Sequence, residues 1–592
     1  MIVLAKCVLT EEQKKFLAAE GKVVLCACPG SGKTYIVAQK LLQYKMRWNR
    51  PHQGVAILSF TNVASNEVEK QTRELMVGGF EISYPHYIGT LDSFINNFIL
   101  LRFGYLLMSD AQRPTIAIKD IFTVPYDFWR IECRRRGCAD NIHDFRWGMD
   151  LKLYYRKDLV NCAPNTNRSH PPCYECKQAL FKRGFIFQNE ASALAYLLIK
   201  KYPAISEAIA MRFPIIILDE AQDTSIEQMA ILDQLCNSGL ESMFLVGDPD
   251  QSIYEWRNAT PECFIKRKDH ADWTTLLLTA NFRSSQYICN ATKAFSKSLE
   301  SSTPSLAKGA NADCSQKPLL LLFDGSIDVS RDKINERFFE LCTTHEIAIT
   351  SDNVAVVTRH RIHDDAEISG LWKSKEVEFF AESAYEWFAG SRKRAYELCE
   401  MALYSLCIDE IRNIHISIDI DIESRMSYEL WRSNVIEILI SLPNASQSIS
   451  VWIAKIKLII TQILPLFGMS IRGNRTIDDV IKIKSRDMKN PDFKIIPVKQ
   501  FFESKVCANY TFSSIHGVKG ETFDALLLLI ESRKGITLTP SFLNNGDVGS
   551  ELMRIAYVAM TRPRKLLVVA MPNMNQAFYH RFPKEKWDYE SI

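Results

Sequence analysis

Short apolar runs alternate along this chain with stretches in which apolar residues recur every three or four positions. The two patterns predict buried parallel strands separated by amphipathic helices, an α/β organisation. Val23-Val24-Leu25 is the first run, followed after a glycine-containing turn by the helix-like Tyr35 to Leu42. Val55 to Phe60, Tyr87-Ile88-Gly89, Ile215 to Leu218 and Met243 to Val246 predict further strands. Leu9-Thr10-Glu11-Glu12-Gln13 predicts a helix capped by Thr10, and Thr61-Asn62 opens another. Asn353 to Arg359 and Leu566 to Ala570 continue the strand pattern far downstream. From about Asp364 to Gln500, Leu, Ile and Met at helical spacing predict a mostly helical segment. From Leu101 to Arg183 the chain turns aromatic, basic and cysteine-rich, which predicts an insertion. Val451 to Phe467 comes nearest to a membrane-spanning run, but it contains Lys455 and Lys457, so a buried amphipathic helix is expected.

The ends of the strands carry the chemistry. After the first run, Ala27-Cys28-Pro29-Gly30-Ser31-Gly32-Lys33-Thr34 has the parts of a phosphate-binding loop. Gly30 and Gly32 let backbone N–H groups curl round phosphates, Lys33 would reach the β and γ phosphates, and Thr34 would hold Mg²⁺. Ala27 stands where such loops usually begin with Gly. Gln13, just upstream, has an amide able to donate to and accept from an adenine edge, although an isolated Gln is more commonly a solvated surface residue. A second apolar run ends in Asp219-Glu220-Ala221-Gln222-Asp223. Asp219 would fix Mg²⁺ through its water shell and Glu220 would orient or deprotonate the attacking water; the alternative is a pair of acids that cap the next helix. Beyond the next strand, Gln251 is a candidate γ-phosphate sensor, and Tyr254 and Trp256 are platforms on which unpaired bases can stack. Cys162, His170, Cys173 and Cys176 offer four soft ligands for zinc, with free thiols as the alternative. Arg134-Arg135-Arg136 is either a solvated face or a phosphate contact.

Composition narrows this picture. A chain of 592 residues needs several domains, and 47% hydrophobic with 24% charged residues is ordinary for a globular protein. The net charge of +3 confines any nucleic-acid site to a local groove. Sixteen Cys without disulfide-like spacing, and an N-terminus without a signal-peptide pattern, place the expectation in a reducing, cytoplasmic compartment with no membrane.

Taken in order, A-C-P-G-S-G-K-T, I-L-D-E-A-Q-D, G-D-P-D-Q-S-I-Y-E-W-R, Leu278 to Ser284, Ile515 to Glu521 and Tyr557 to Arg562 resemble the motif set of the UvrD/Rep/PcrA family of superfamily 1 DNA helicases. The resemblance implies two RecA-like motor domains, each with a helical insertion, and ATP with Mg²⁺ in the cleft between them. It implies bounds of 1–100 with 184–275 for the first motor domain and 276–363 with 501–592 for the second. Insertions at 101–183 and 364–500 complete the chain. Residue by residue, it implies adenine reading by Gln13, adenine stacking by Phe282, and γ-phosphate contacts from Gln251, Arg283 and Arg562. It implies DNA contacts from Phe60, Thr61, Asn62, Tyr254, Trp256 and His516, with Arg257 coupling nucleotide to DNA. Two departures bear on this. Asp92 stands where the family commonly has His, which puts that DNA contact in doubt, and Lys519-Gly520-Glu521-Thr522 replaces Lys-Gly-Leu-Glu, which leaves the ribose contact of Glu521 open.

The resulting expectation is an ATP-dependent translocase and helicase on single-stranded and tailed duplex DNA, with 3′-to-5′ polarity implied by the resemblance. A looser resemblance to the helicase subunit of Gabija anti-phage systems adds an OLD-type nuclease as expected partner. The alternatives are a DNA-sensing ATPase subunit that activates such a nuclease without processive unwinding, and a free-standing repair helicase.

Overall fold

The computed structural model describes residues 9–75, 83–108, 113–117, 142–155, 158–160, 172–255, 259–297, 305–324, 327–359, 372–408, 422, 426–473, 475–483, 497–502, 506–507, 510–530, 538–573 and 579–592. Two compact units emerge: one comprises Met1–Gly104, Ala191–Arg361 and Val506–Ile592, the other Tyr105–Glu190 and Ile362–Lys505.

The first unit contains two large sheets and a short two-stranded pair, Ala280–Asn281 with Leu306–Ala307. One is built from β1 (Lys22–Ala27), β2 (Val55–Ser59), β3 (Tyr87–Thr90), β4 (Ile215–Leu218), β5 (Ser242–Gly247) and β6 (Thr274–Leu278), in the order β6-β1-β5-β4-β2-β3. Every neighbouring pair is parallel. Such strands are covered on both faces, which is why β2, β4 and β5 are buried at every position. Helices α1 (Glu11–Ala18), α2 (Lys33–Arg47) and α3 (Asn62–Leu75) join the strands, and Ile36, Val37 and Leu41 of α2 pack onto Leu25, Ile57, Ile217 and Phe244. With β1, β5 and β4 adjacent, the loops leaving their C-terminal ends converge, the position at which parallel sheets bind ligands.

The second sheet holds β7 (Leu319–Phe323), β8 (Val354–Thr358), β9 (Val506–Cys507), β10 (Tyr510–Ser514), β11 (Phe523–Leu529), β12 (Pro563–Pro572) and β13 (Asp588–Ser591). Its order is β9-β10-β8-β11-β12-β7-β13, parallel except for the β9–β10 pair. The fold class is the α/β, two-sheet arrangement expected.

The second unit has a core of its own, in which Trp431, Trp452, Phe380, Ala402 and Leu439 are buried between helices Lys375–Ala389, Arg392–Cys407, Tyr428–Ser441 and Ile449–Leu466. Helix Ile449–Leu466 is long and apolar enough to cross a membrane. Its Ile449, Trp452, Ile456, Ile460 and Leu464 form a buried stripe, whereas Val451, Leu458 and Leu466 are exposed. Elsewhere in this unit Lys177 and Glu190 form an ion pair at 2.6 Å with both side chains 1% exposed. Glu190 also accepts from the N–H groups of Trp147 (3.1 Å) and Phe187 (3.0 Å), so it ties three segments together. Cys173 and Cys176 lie on helix Pro172–Lys182 with buried side chains, and burial pushes the Cys176 thiol up to about 11, away from the thiolate that zinc requires. Cys162, His170 and the Arg134 to Arg136 run lie outside the described residues, among which no group of three or more His, Cys, Asp or Glu could hold a metal.

Removing one member of a buried pair strands the other. Lys177→Ala is expected to destabilise the second unit by about 3 to 5 kcal/mol. Urea unfolding read on its tryptophans checks this, and the double replacement Lys177→Met with Glu190→Leu should recover part of the loss.

Candidate functional site

The backbone at the end of β1 dictates which residues can stand there. Gly30 and Gly32 take φ of 70° and 79°, a region costly for side chains with a Cβ. At Gly30 there is a second constraint: a Cβ would lie 2.7 Å from both Arg283 Cβ and Asn281 Oδ1. The segment after β6 sits directly against the loop, since Cys28 N donates to Leu278 O (3.1 Å) and Phe282 N to Gly30 O (2.8 Å). Ala27 is simply the last residue of β1, without a positive φ, which explains why Gly is not required there.

A cavity of about 600 Å³ opens over this loop. From the first sheet it is lined by Gly30 to Tyr35, Glu220, Asp223 and Gln251, and from the second by Lys519 to Thr522, Arg562 and Arg564, with Phe282 and Arg283 between. Its volume falls within the range of small-molecule sites. Lys33 Nζ is 3.4 Å from Cys28 O, and Thr34 Oγ1 donates to Asp219 Oδ2 at 3.4 Å. Arg562 Nη2 donates to Gln251 Oε1 at 2.6 Å, and Arg283 Nη1 to Thr561 O at 3.1 Å. Lys519 pairs with Asp223 and donates to Gln251 O at 2.8 Å.

Burial shapes the charges. It pushes Asp219 up to about 7, helped by its neighbour Glu220 and opposed by Lys33. Asp223 and Asp248 are each pushed up to about 6 by burial, opposed by Lys519 and Lys33 respectively. Burial acts on Glu220 too, but Lys519, Lys33, the Gln222 amide and Arg562 together outweigh it and hold its carboxyl below the usual range. Glu220 is therefore the ionised acid of the pair, poised to accept a proton or a water hydrogen bond. It also sits at φ 56°, a strained conformation for a residue with a side chain.

Of the residues singled out from sequence, Gly30, Ser31, Gly32, Lys33, Thr34, Glu220, Gln251, Phe282, Arg283, Glu521 and Arg562 line this one cavity. Ala27, Cys28 and Pro29 do not line it; they support the loop from behind. Asp219 lies beneath, reached through Thr34. Gln13 is 4% exposed, with its Oε1 accepting from Thr10 N and its Nε2 3.7 Å from a Cβ placed on Gly32. Phe60, Thr61 and Tyr254 line the same cavity, and the Phe60 and Tyr254 rings stack at 5.1 Å. His516 is 6.0 Å from the Tyr254 ring, its Nε2 3.1 Å from Ile253 O. Asn62 is exposed at the start of α3, and Trp256 and Arg257 lie outside the described residues. Asp92 accepts from Gln228 Nε2 at 2.7 Å, on helix α4 (Ile226–Asn237), so this carboxylate pins its loop to the neighbouring helix. Sequence reasoning missed Tyr35, Asp223, Lys519 and Arg564 as lining residues. Adjacency to Thr34, Glu220, Gly520 and Arg562 was the signal available.

Two mainly parallel sheets with a phosphate loop on one and arginines from the other define a nucleoside-triphosphate-binding class of fold. Residues 9–121 and 172–272 match the UvrD/REP helicase N-terminal domain. The Gabija protein GajB of Bacillus cereus is 28% identical over 283 residues, 48% of each chain. The ATP-dependent DNA helicase SRS2 of Saccharomyces cerevisiae is 27% identical over 304 residues, 45% of this chain and 25% of its own. The ATP-dependent DNA helicase PcrA of Staphylococcus aureus is 26% identical over 305 residues, 48% of this chain and 39% of its own. The chain thus carries a segment similar to the UvrD/REP helicase N-terminal domain, and it spans about half or less of the length of these curated relatives.

The raised acids carry a stability consequence. A carboxyl whose folded pKa exceeds its unfolded value costs the folded state increasingly as pH rises from the unfolded to the folded pKa. For Asp219 that window runs from about 4 to about 7. Asp219→Asn is therefore expected to raise the melting temperature of the nucleotide-free protein at pH 8, by less at pH 5, while abolishing hydrolysis; calorimetry at the two pH values checks the sign.

Proposed function

We propose that this protein is an ATP-dependent DNA helicase or translocase acting on single-stranded and tailed duplex DNA. The observation that carries the reading is the single cavity in which Lys33 and Glu220 meet Arg283 and Arg562. Phosphoryl transfer to water needs little covalent help from a protein; it needs the phosphates held, the water oriented and the spreading negative charge stabilised. Lys33 and the loop N–H groups would hold the phosphates, Glu220 would orient and deprotonate the water, and Gln251 would report the γ phosphate. Arg283 and Arg562 suit the transition state because a planar guanidinium spreads its donors over phosphate oxygens.

Asp219 and Thr34 fit a divalent cation. A fully desolvated carboxyl raised to about 7 and a hydroxyl 3.4 Å from it form a hard oxygen pair whose burial cost such a charge would relieve. When bound, Mg²⁺ would neutralise developing phosphate charge. Around the nucleotide, Gln13 and Phe282 would take the adenine.

Binding of ATP draws Arg283 and Arg562 toward the loop, and hydrolysis releases them, so the two sheets would close and open once per turnover. Phe60, Tyr254 and His516 supply aromatic faces on which unpaired bases stack, and a strand gripped there would advance with each cycle. The similarity to SRS2 and PcrA supports the helicase reading, and we take 3′-to-5′ as the direction of travel. A second reading is favoured by GajB, which matches over the same share of both chains: a motor that senses DNA and activates a nuclease partner of OLD type in antiviral defence.

With purified protein, single-stranded DNA is expected to stimulate ATP hydrolysis, and Lys33→Ala and Glu220→Gln are each expected to lower kcat by at least about 100-fold. Absence of hydrolysis with ATP and DNA both bound would sink the autonomous motor and favour the partner-dependent reading. Strand displacement on 3′- and 5′-tailed duplexes then tests direction.

A further inference from the structure

Lys40 is 2% exposed, an unusual burial for an ammonium group, and none of the chemistry above uses it. It lies on α2, seven residues after Lys33, or about 10 Å along the helix. Its Nζ donates to Leu17 O at 2.8 Å and Ala19 O at 2.7 Å, and lies 3.4 Å from Phe16 O. These carbonyls belong to the end of α1, where a helix leaves its last acceptors without intrahelical partners. Three donors thus meet three acceptors, and a positive charge sits at the negative end of the helix. The rings of Phe244 and Tyr44, with centroids 4.8 Å and 5.1 Å from Nζ, enclose the contact.

The other end of α1 is fixed as well. Glu12 accepts from Thr279 N at 2.9 Å and from Thr279 Oγ1 at 2.7 Å, and Gln13 and Thr10 form a reciprocal capping box. In so short a helix Gln13 is about one turn from the Phe16 and Leu17 carbonyls that Lys40 meets. Any tilt at that end moves the amide relative to Gly32.

We propose that Lys40 is a positioning residue for base selection: by docking the end of α1 onto the phosphate-loop helix, it fixes the Gln13 amide relative to the bound phosphates and so sets the preference for adenine. This rests on the reading of Gln13 as the adenine-reading residue. The phosphates would report the presence of a triphosphate, and the Lys40 dock would make the distance from phosphate loop to base edge a fixed quantity.

The test is kcat/KM for ATP and for GTP, with single-stranded DNA present, in wild type, Lys40→Met, Lys40→Gln, Lys40→Arg and Gln13→Ala. The ratio of the two constants does not depend on the fraction of folded protein, so a merely structural loss leaves it unmoved. Lys40→Met is expected to lower the ATP-to-GTP ratio about three- to tenfold, the equivalent of roughly one hydrogen bond, through KM for ATP with kcat nearly kept. Lys40→Arg should hold the wild-type ratio, and Lys40→Gln, with two remaining N–H donors, should fall between; this variant decides the matter if the Met replacement does not fold. If Gln13→Ala lowers the ratio while neither Lys40→Met nor Lys40→Gln does, the role of Lys40 is overturned alone. If Gln13→Ala leaves the ratio unchanged, the reading of Gln13 falls and this proposal with it.

Discussion

The structure depends on a knot of buried charge at the ends of β4 and β5. Asp219, Asp223 and Asp248 are all less than 5% exposed, and Glu220 lies among them. Charges taken out of water are tolerated only where opposite charges are close and well oriented. The first sheet supplies Lys33 from its phosphate loop, with Lys70 of α3 lining the same cavity; Lys519 and Arg562 come from the second sheet, and Arg283 from the segment leading into it. Both halves therefore bring positive charge to the knot. A triphosphate adds negative charge at the same place and competes for Lys33, Arg283 and Arg562. On the proposed function, nucleotide occupancy would redistribute the contacts between the two halves, which is the physical requirement for converting hydrolysis into movement.

The segment Gln251 to Glu255 carries that redistribution outward. It leaves the end of β5, yet its bonds go to the second half: Lys519 to Gln251 O, Arg554 Nε to Ser252 O at 2.7 Å, His516 to Ile253 O, and Glu255 N to Glu551 Oε1 at 2.9 Å. Ile253 is buried in the hydrophobic core of the second half. Arg554 and Glu551 both lie on α5 (Glu551–Met560), the helix that ends just before Arg562. Glu255, two residues after Ile253, is thus bonded to the helix that ends two residues before Arg562, and Tyr254 meets Phe60 and the Lys519 ammonium 4.5 Å from its ring. The cavity over the phosphate loop and the aromatic pair are joined by a strap that is short and heavily bonded to the second half.

The strands, the phosphate loop and the paired acids were legible in the sequence because each is a local pattern: an apolar run, then a turn whose glycines the backbone demands. The helix cap at Thr10 was legible for the same reason, and the capping box with Gln13 is present. What escaped was side-chain partnership across long separations. Lys519 with Asp223, Arg554 with Glu255 and Lys40 with the end of α1 are ordinary charged residues in sequence, and only folding reveals their partners. Of the zinc and free-thiol alternatives, Cys176 reads as a buried thiol pushed up by its apolar neighbourhood, while Cys162 and His170 lie outside the described residues.

The departures from the family pattern separate strict constraints from loose ones. Ala27 replaces a glycine where β1 is still extended, and nothing in the backbone forbids a methyl group there. Gly30 has no such latitude, because the Asn281-Phe282-Arg283 turn occupies the space that a side chain would need. Asp92 replaces a histidine and changes the sign of what the loop can present: a carboxylate already engaged by Gln228 repels a phosphate backbone instead of attracting it. On the proposed function, the grip on a strand would then fall more heavily on aromatic stacking, with Phe60 and Tyr254 already stacked on one another and open to a base only when they part. In such an arrangement base stacking and the charge at the acids share a neighbour, since the Tyr254 ring that would part from Phe60 lies over the same Lys519 ammonium that pairs with Asp223.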